Sequence, residues 1–203
     1  MRPLKIGVLA LQGAVREHVS ALQKCGAEAV PVKRSEQLEG LDGLVLPGGE
    51  STTIGKLVMR YGLVDPIREL AAAGKALFGT CAGMILLART ITGSEQFSLG
   101  LLDIAVTRNA FGRQRESFEA ALSVPVLGDE PLCAVFIRAP LVEKTGEKVQ
   151  VLAKYGGRVV AVRQGRVLAA SFHPELTTDL RLHRYFLSLA REKGDRDAGA
   201  VPF

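Results

Sequence analysis

Three short runs carry residue types that can do chemistry. Gly79-Thr80-Cys81-Ala82-Gly83 follows the apolar Ala76-Leu77-Phe78 and precedes a helical pattern, the context a nucleophile elbow requires. A sharp strand-to-helix turn leaves no room for side chains beside the nucleophile, so glycines flank it. The helix N-terminus that follows offers free backbone N–H groups and favours a thiolate. Ser171-Phe172-His173-Pro174-Glu175 ends another strand-like run. Pro174 biases His173 toward an extended backbone, which would put Glu175 on the same side as the imidazole. A carboxylate on one ring nitrogen leaves the other free to take a thiol proton and return it to a leaving amine. Pro47-Gly48-Gly49-Glu50-Ser51 closes a third run. Its Gly48 and Gly49 can turn backbone N–H groups toward a developing oxyanion, alongside the N–H of Ala82.

Each run has a blander reading. A free cysteine is most often a small buried hydrophobe, and that description suits Cys25 and Cys133. The elbow context favours function for Cys81. His-x-Glu pairs often only cap loops, and a Gly-Gly pair is often a routine turn. His18 and His183 fall within helical patterns at positions expected to face water, which makes them poor catalytic candidates. No H-E-x-x-H or comparable cluster is present, so neither a metal nor a cofactor is expected.

The elements that must position these residues follow from apolar periodicity and turn signals. Lys5–Leu9, Glu28–Val32, Gly43–Leu46 and a run from Ala76 to Gly79 read as buried strands, with helices between them at 15–22, 51–61 and 66–73 and after the last at 82–88. Ser51 or Thr52 is the expected N-cap of the second helix. Strands separated by helices imply a mostly parallel sheet covered on both faces, and three strand-end features would then converge at the crevice where such sheets bind ligands. From residue 101 onward, strand-like runs at 102–107, 118–125, 132–137, 149–153, 159–163 and 167–171 predict an antiparallel extension. A closing helix is expected over 178–191. The fold class is therefore α/β, doubly wound. Residues 1–192 form one expected domain, and 193–203 form a loose C-terminal tail.

Composition bounds the function. At 203 residues, 47% hydrophobic and 23% charged, the chain is long enough for one sizeable core burying roughly 70% of its unfolded surface. The three cysteines lie far apart without C-x-x-C spacing, which argues against a disulfide framework and fits a reducing cytoplasm. No leader-like or membrane-spanning run is evident. The formal net charge is +5, but the basic residues are dispersed among carboxylates, so neither nucleic acid nor membrane is an expected partner.

Six runs carry a closer likeness. They are Leu11-Gln12-Gly13-Ala14-Val15-Arg16-Glu17-His18, Leu46-Pro47-Gly48-Gly49-Glu50-Ser51-Thr52-Thr53, the cysteine elbow, Arg108-Asn109-Ala110-Phe111-Gly112-Arg113-Gln114, Phe136-Ile137-Arg138-Ala139-Pro140 and Ser171-Phe172-His173-Pro174-Glu175-Leu176. In these the chain resembles the class I glutamine amidotransferases with a Cys-His-Glu triad, and among them the glutaminase subunits of pyridoxal 5'-phosphate synthases, from Leu4 to Leu189. The resemblance implies Cys81 as nucleophile, His173 as base and acid, and Glu175 as its orienting partner. It implies that Gly48, Gly49, Glu50, Arg108, Ile137 and Arg138 contact L-glutamine. It also implies that ammonia passes to a synthase subunit in a large hetero-oligomer. An amino acid brings a carboxylate that Arg108 or Arg138 could pair. Residues 12–18 and 113–119 are candidate docking surfaces. A glutaminase feeding a different synthase, and a non-enzymatic DJ-1-like redox or chaperone protein, are the rival readings. The His-Pro-Glu run disfavours the latter.

Overall fold

The computed structural model describes residues 2–108 and 117–192. The expected tail, 193–203, and all of the 108–114 run except Arg108 lie outside them. Strands β1 (Lys5–Leu9), β2 (Glu28–Val32), β3 (Gly43–Leu46) and β4 (Ala76–Thr80) alternate with helices α1 (Val15–Lys24), α2 (Ser51–Arg60) and α3 (Val64–Ala72). The short α4 (Ala82–Leu87) follows β4, and β5 (Ala88–Ile91), β6 (Leu102–Thr107), β7 (Ser117–Leu122), β8 (Leu132–Ile137), β9 (Leu141–Thr145), β10 (Gln150–Tyr155), β11 (Arg158–Gln164) and β12 (Val167–Ala170) lead to α5 (Arg181–Arg191).

The main sheet runs β2-β1-β3-β4-β12-β11-β9-β6-β5, with β10 on β11, while β7 and β8 form a separate antiparallel ribbon. Pairing is parallel from β2 through β12 and again between β5 and β6. It is antiparallel where β11 meets β12, β9 and β10, and where β6 meets β9. The last strand, β12, inserts beside β4, so the ends of β3, β4 and β12 are neighbours.

Alternation along these strands divides the core in two. Leu44, Leu46, Leu77 and Ala169 face Ile54, Val58, Ile67 and Leu86 of α2, α3 and α4. Val45, Phe78, Leu168 and Ala170 face Leu22 of α1, Leu182 and Phe186 of α5, and Phe136 of the ribbon. Helices thus cover both faces, as the sequence pattern requires.

Four details depart from the sequence reading. The N-cap of α2 is Glu50, whose carboxylate accepts from the Thr52 and Thr53 N–H groups at 3.2 and 2.7 Å, in place of Ser51 or Thr52; a glutamate at this position reaches over the first turn and also meets its dipole. The closing helix starts at Arg181, because Pro174–Leu176 first forms a 3-10 turn. Strands β5 and β9 are additional. Cys133 is exposed and Cys25 half-buried, so the buried-hydrophobe reading fails for Cys133, whose neighbours in β8 alternate between core and solvent.

Candidate functional site

Cys81 sits one residue past β4 and its backbone holds φ 48° and ψ −102°, a region that residues other than glycine rarely occupy. The turn is tight on both sides. A Cβ at Gly79 would stand 2.5 Å from the Gly83 carbonyl carbon, and one at Gly83 would stand 1.9 Å from the Leu46 oxygen. The backbone N–H of Cys81 donates to the Ala170 oxygen at 2.8 Å, fastening the elbow to β12. Ala82 opens α4, where helix geometry gives its N–H no partner within the helix. The thiol sulfur lies 3.7 Å from the Ile137 oxygen.

His173 follows β12 by three residues, and its N–H donates to the Val135 oxygen at 2.8 Å. Its ring lies against the glycine loop: a Cβ at Gly48 would fall 2.3 Å from His173 Cε1. His173 Nδ1 and Glu175 Oε1 are 2.7 Å apart. The sequence reading expected an extended His-Pro-Glu; the pair instead meets because His173 caps the 3-10 turn that carries Glu175. Burial pushes the His173 imidazole toward its neutral form, but hydrogen bonds and charge from Cys81 and Glu175 outweigh it and raise its pKa to about 10. Burial likewise opposes ionisation of Glu175, and His18 and His173 together hold its carboxyl below the usual range. The arrangement favours an imidazolium beside the Glu175 carboxylate. It can move a proton between sulfur and a group arriving above it.

Behind Glu175 the structure departs most from expectation. His18 and His183 are fully buried, where the sequence reading placed them in water. His18 Nδ1 meets His183 Nε2 at 3.1 Å, His18 Nε2 meets Thr80 Oγ1 at 3.0 Å, and His18 Nε2 stands 3.4 Å from Glu175 Oε2. Burial lowers the pKa of both, that of His183 to about 3. Burial favours the neutral form of both. A signal was present: His18 is i, i+4 with the buried Leu22, and His183 is i, i+3 with Phe186. Among the described residues, no group of three or more His, Cys, Asp or Glu side chains is arranged to hold a metal ion.

The glycine loop is held from three sides. The Gly48 N–H donates to Thr80 Oγ1 at 3.1 Å, the Gly48 oxygen accepts from the Ala14 N–H at 3.0 Å, and the Glu50 N–H donates to Gln12 Oε1 at 2.8 Å. Gly13, at φ 105°, passes so close that a Cβ there would lie 1.9 Å from the Gly48 oxygen. Arg108 Nη1 donates to Gln96 Oε1 at 2.8 Å and its Nη2 lies 3.5 Å from Glu50 Oε1. Arg138 is exposed at the end of β8 with φ 44°. Thr80 and Gln96 have no assigned role in the sequence reading, and Gln12 figures there only in a matched run and a candidate docking run; side-chain amides and hydroxyls that hold loops leave no periodic trace. Of the two candidate docking runs, 12–18 includes the buried His18, and 113–116 lies outside the described residues.

A cysteine elbow beside a buried imidazole and carboxylate, at the ends of neighbouring parallel strands, defines a class, and comparison with known proteins agrees with it. The chain belongs to the SNO glutamine amidotransferase family, which matches residues 8–192. A protein of Geobacillus kaustophilus named pyridoxal 5'-phosphate synthase subunit PdxT is 63% identical, over 93% of this chain and 96% of its own. Its namesake in Pelotomaculum thermopropionicum is 60% identical over 97% of this chain and 100% of its own. A crystal structure of a glutamine amidotransferase superposes with a TM-score of 0.87 at 58% identity, covering 91% of this chain and 98% of that one.

Proposed function

We propose that the chain hydrolyses L-glutamine to L-glutamate and ammonia through a thioester on Cys81, and delivers the ammonia to the synthase subunit that builds pyridoxal 5'-phosphate. The observation that carries the reading is the His173 imidazole, 2.7 Å from Glu175 Oε1 and with its pKa raised by the neighbouring Cys81 and Glu175 side chains. The thiolate attacks the carboxamide carbon, and the oxyanion forms beside the Ala82 N–H and the glycine loop. The C–N bond then breaks, and ammonia leaves with the proton held on His173. Water gives a proton back to His173 as it attacks the thioester, which releases glutamate and restores the thiol. Glu175 keeps the ring oriented through both halves. Arg108, already aligned by Gln96, and Arg138 offer guanidinium groups for the carboxylate of glutamine.

Two properties connect the chain to a partner. Ammonia in neutral water is mostly protonated and loses its nucleophilicity, so a docked synthase in a hetero-oligomer with a protected path preserves the product. The Gly48 N–H is engaged with Thr80, so it reaches an oxyanion only by giving up that bond, which supports a reading in which the partner completes the oxyanion site. The relatives named as subunits of pyridoxal 5'-phosphate synthase favour this synthase over others. The test is glutamine labelled with nitrogen-15 in the side-chain amide, supplied to the chain with the synthase subunit and its sugar phosphates. Label in the pyridine nitrogen is the expected result. Label in ammonia but not in that ring would remove the assignment to this synthase, and glutamate release at equal rates with and without the synthase would remove the completion of the oxyanion site.

A further inference from the structure

The buried histidines behind Glu175 carry a desolvation cost that an apolar pair would not. A pair of apolar side chains would fill the same space without two imidazoles to satisfy. Their placement has a direction, which proton bookkeeping exposes. Glu175 Oε1 takes the Nδ1–H of His173. Its other oxygen, Oε2, is buried without a full hydrogen bond and faces His18 Nε2 at 3.4 Å. Neutral His18 carries one N–H. If it were on Nδ1, Nε2 would turn a lone pair toward the carboxylate, and His183 would have to accept on Nε2 and keep a buried Nδ1–H with no partner. With the proton on Nε2, the N–H dipole points between Glu175 Oε2 and Thr80 Oγ1, and His183 donates from Nε2 to His18 Nδ1. The costs are a bare lone pair on His183 Nδ1, one of three buried side-chain atoms without a partner among the described residues, and a Thr80 hydroxyl that accepts from both His18 and Gly48 and must send its own hydrogen elsewhere. The Nδ1–H alternative strands the His183 donor and in addition sets a His18 lone pair against the Glu175 carboxylate at 3.4 Å, which makes the Nε2–H form the less expensive one.

We propose that His18, set by His183, is a positioning residue for glutamine hydrolysis: its Nε2–H fixes the second oxygen of Glu175, so that the first stays aimed at His173. The proposal rests on the glutaminase reading. The charged and titratable groups around His18 are Glu17 on its own helix, His183 on α5, and Glu175 and His173 after β12; Thr80 reaches it from β4. Arg16 and Lys24 of α1 are not among them.

The first test needs no variant. In the wild-type chain with its synthase partner, nitrogen-15 histidine spectra near neutral pH should show both His18 and His183 as Nε2–H tautomers. An Nδ1–H tautomer at His18 overturns the proposal. The second test compares His18→Leu with His18→Gln, whose amide N–H can stand near the place of Nε2. With the synthase present, His18→Leu should lower kcat by about 30-fold, a part of the roughly 10² to 10⁴ that a positioned base contributes, with KM for glutamine little changed. Its acid limb of kcat should move to higher pH, since the carboxylate loses a stabilising dipole. His18→Gln should recover most of the rate. Wild-type kcat in a folded His18→Leu, or equal losses in the two variants, would reduce His18 to a structural role. If wild-type chain and synthase release no glutamate, the glutaminase reading itself fails, and the tautomers still report on the hydrogen-bond chain.

Discussion

His173 depends on Glu175 for more than its charge. A carboxylate accepts the Nδ1–H and fixes the tautomer that leaves Nε2 facing sulfur, whereas an amide can present either an oxygen or an N–H. Glu175→Gln should therefore lower kcat by up to about 10⁴-fold at nearly constant fold, the loss seen when a tautomer-setting carboxylate becomes an amide elsewhere, measured as glutamate release with the synthase present; a loss under tenfold would show that Glu175 contributes little. Arg108→Ala should raise KM for glutamine more than it lowers kcat, because an ion pair to the substrate carboxylate forms in ground and transition states alike. The reverse split would place Arg108 away from the substrate. At this scale the candidate nucleophile, base and carboxylate were readable, since glycines around a cysteine and a proline between histidine and glutamate are local signals. The buried histidines were not. Their polarity suggests solvent, and only the packing of α1 and α5 against the same face of the sheet closes water out.

The elements succeed because small residues let them meet. Gly79 and Gly83 allow β4 and α4 to turn within five residues, with Gly83 against the Leu46 oxygen of β3. Gly83→Ala puts a carbon 1.9 Å from that oxygen, where neither backbone can yield cheaply, and should destabilise the chain by about 3 kcal/mol or more. Urea unfolding would measure this, and an unchanged midpoint would mean that the elbow relaxes freely. The same region shows where element boundaries escape sequence reading. The strand β5, Ala88–Ile91, follows α4 directly, with no glycine or proline to mark the change of period. The strand β9, Leu141–Thr145, buries only its first two residues, so its charged end reads as loop. In contrast, the parallel strands β1, β3 and β4 are apolar on both faces and stood out. The N-cap at Glu50 was missed because serine and threonine beside it are stronger cap formers, and only the loop geometry brings the glutamate carboxylate over the helix.

Across the whole molecule, the paired titrating groups give stability a defined pH dependence. His173 has a raised pKa, so its contribution is fully present below its ordinary value of 6.5 and is lost as pH rises toward about 10. His18 and His183 have lowered pKa values, so the unfolded chain binds more protons below 6.5, and their contribution is lost as pH falls, for His183 toward about 3. Glu175 adds a further loss below its ordinary 4.5. Urea midpoints should therefore peak near pH 6.5 and fall on both sides, and His183→Phe should flatten the acid limb; a wild-type midpoint level from pH 6.5 to 4 would contradict neutral buried histidines. The overall architecture was legible because buried strands and amphipathic helices alternate through the first half, while the strand order, with β12 inserted beside β4, is a long-range outcome that no local pattern records. That insertion brings His173 to Cys81, and the account rests on their cooperation in cutting glutamine. Its most direct test is glutamate release by Cys81→Ala with the synthase subunit present. The account predicts a folded, partner-binding protein with no release above background, and release at the wild-type rate would contradict it.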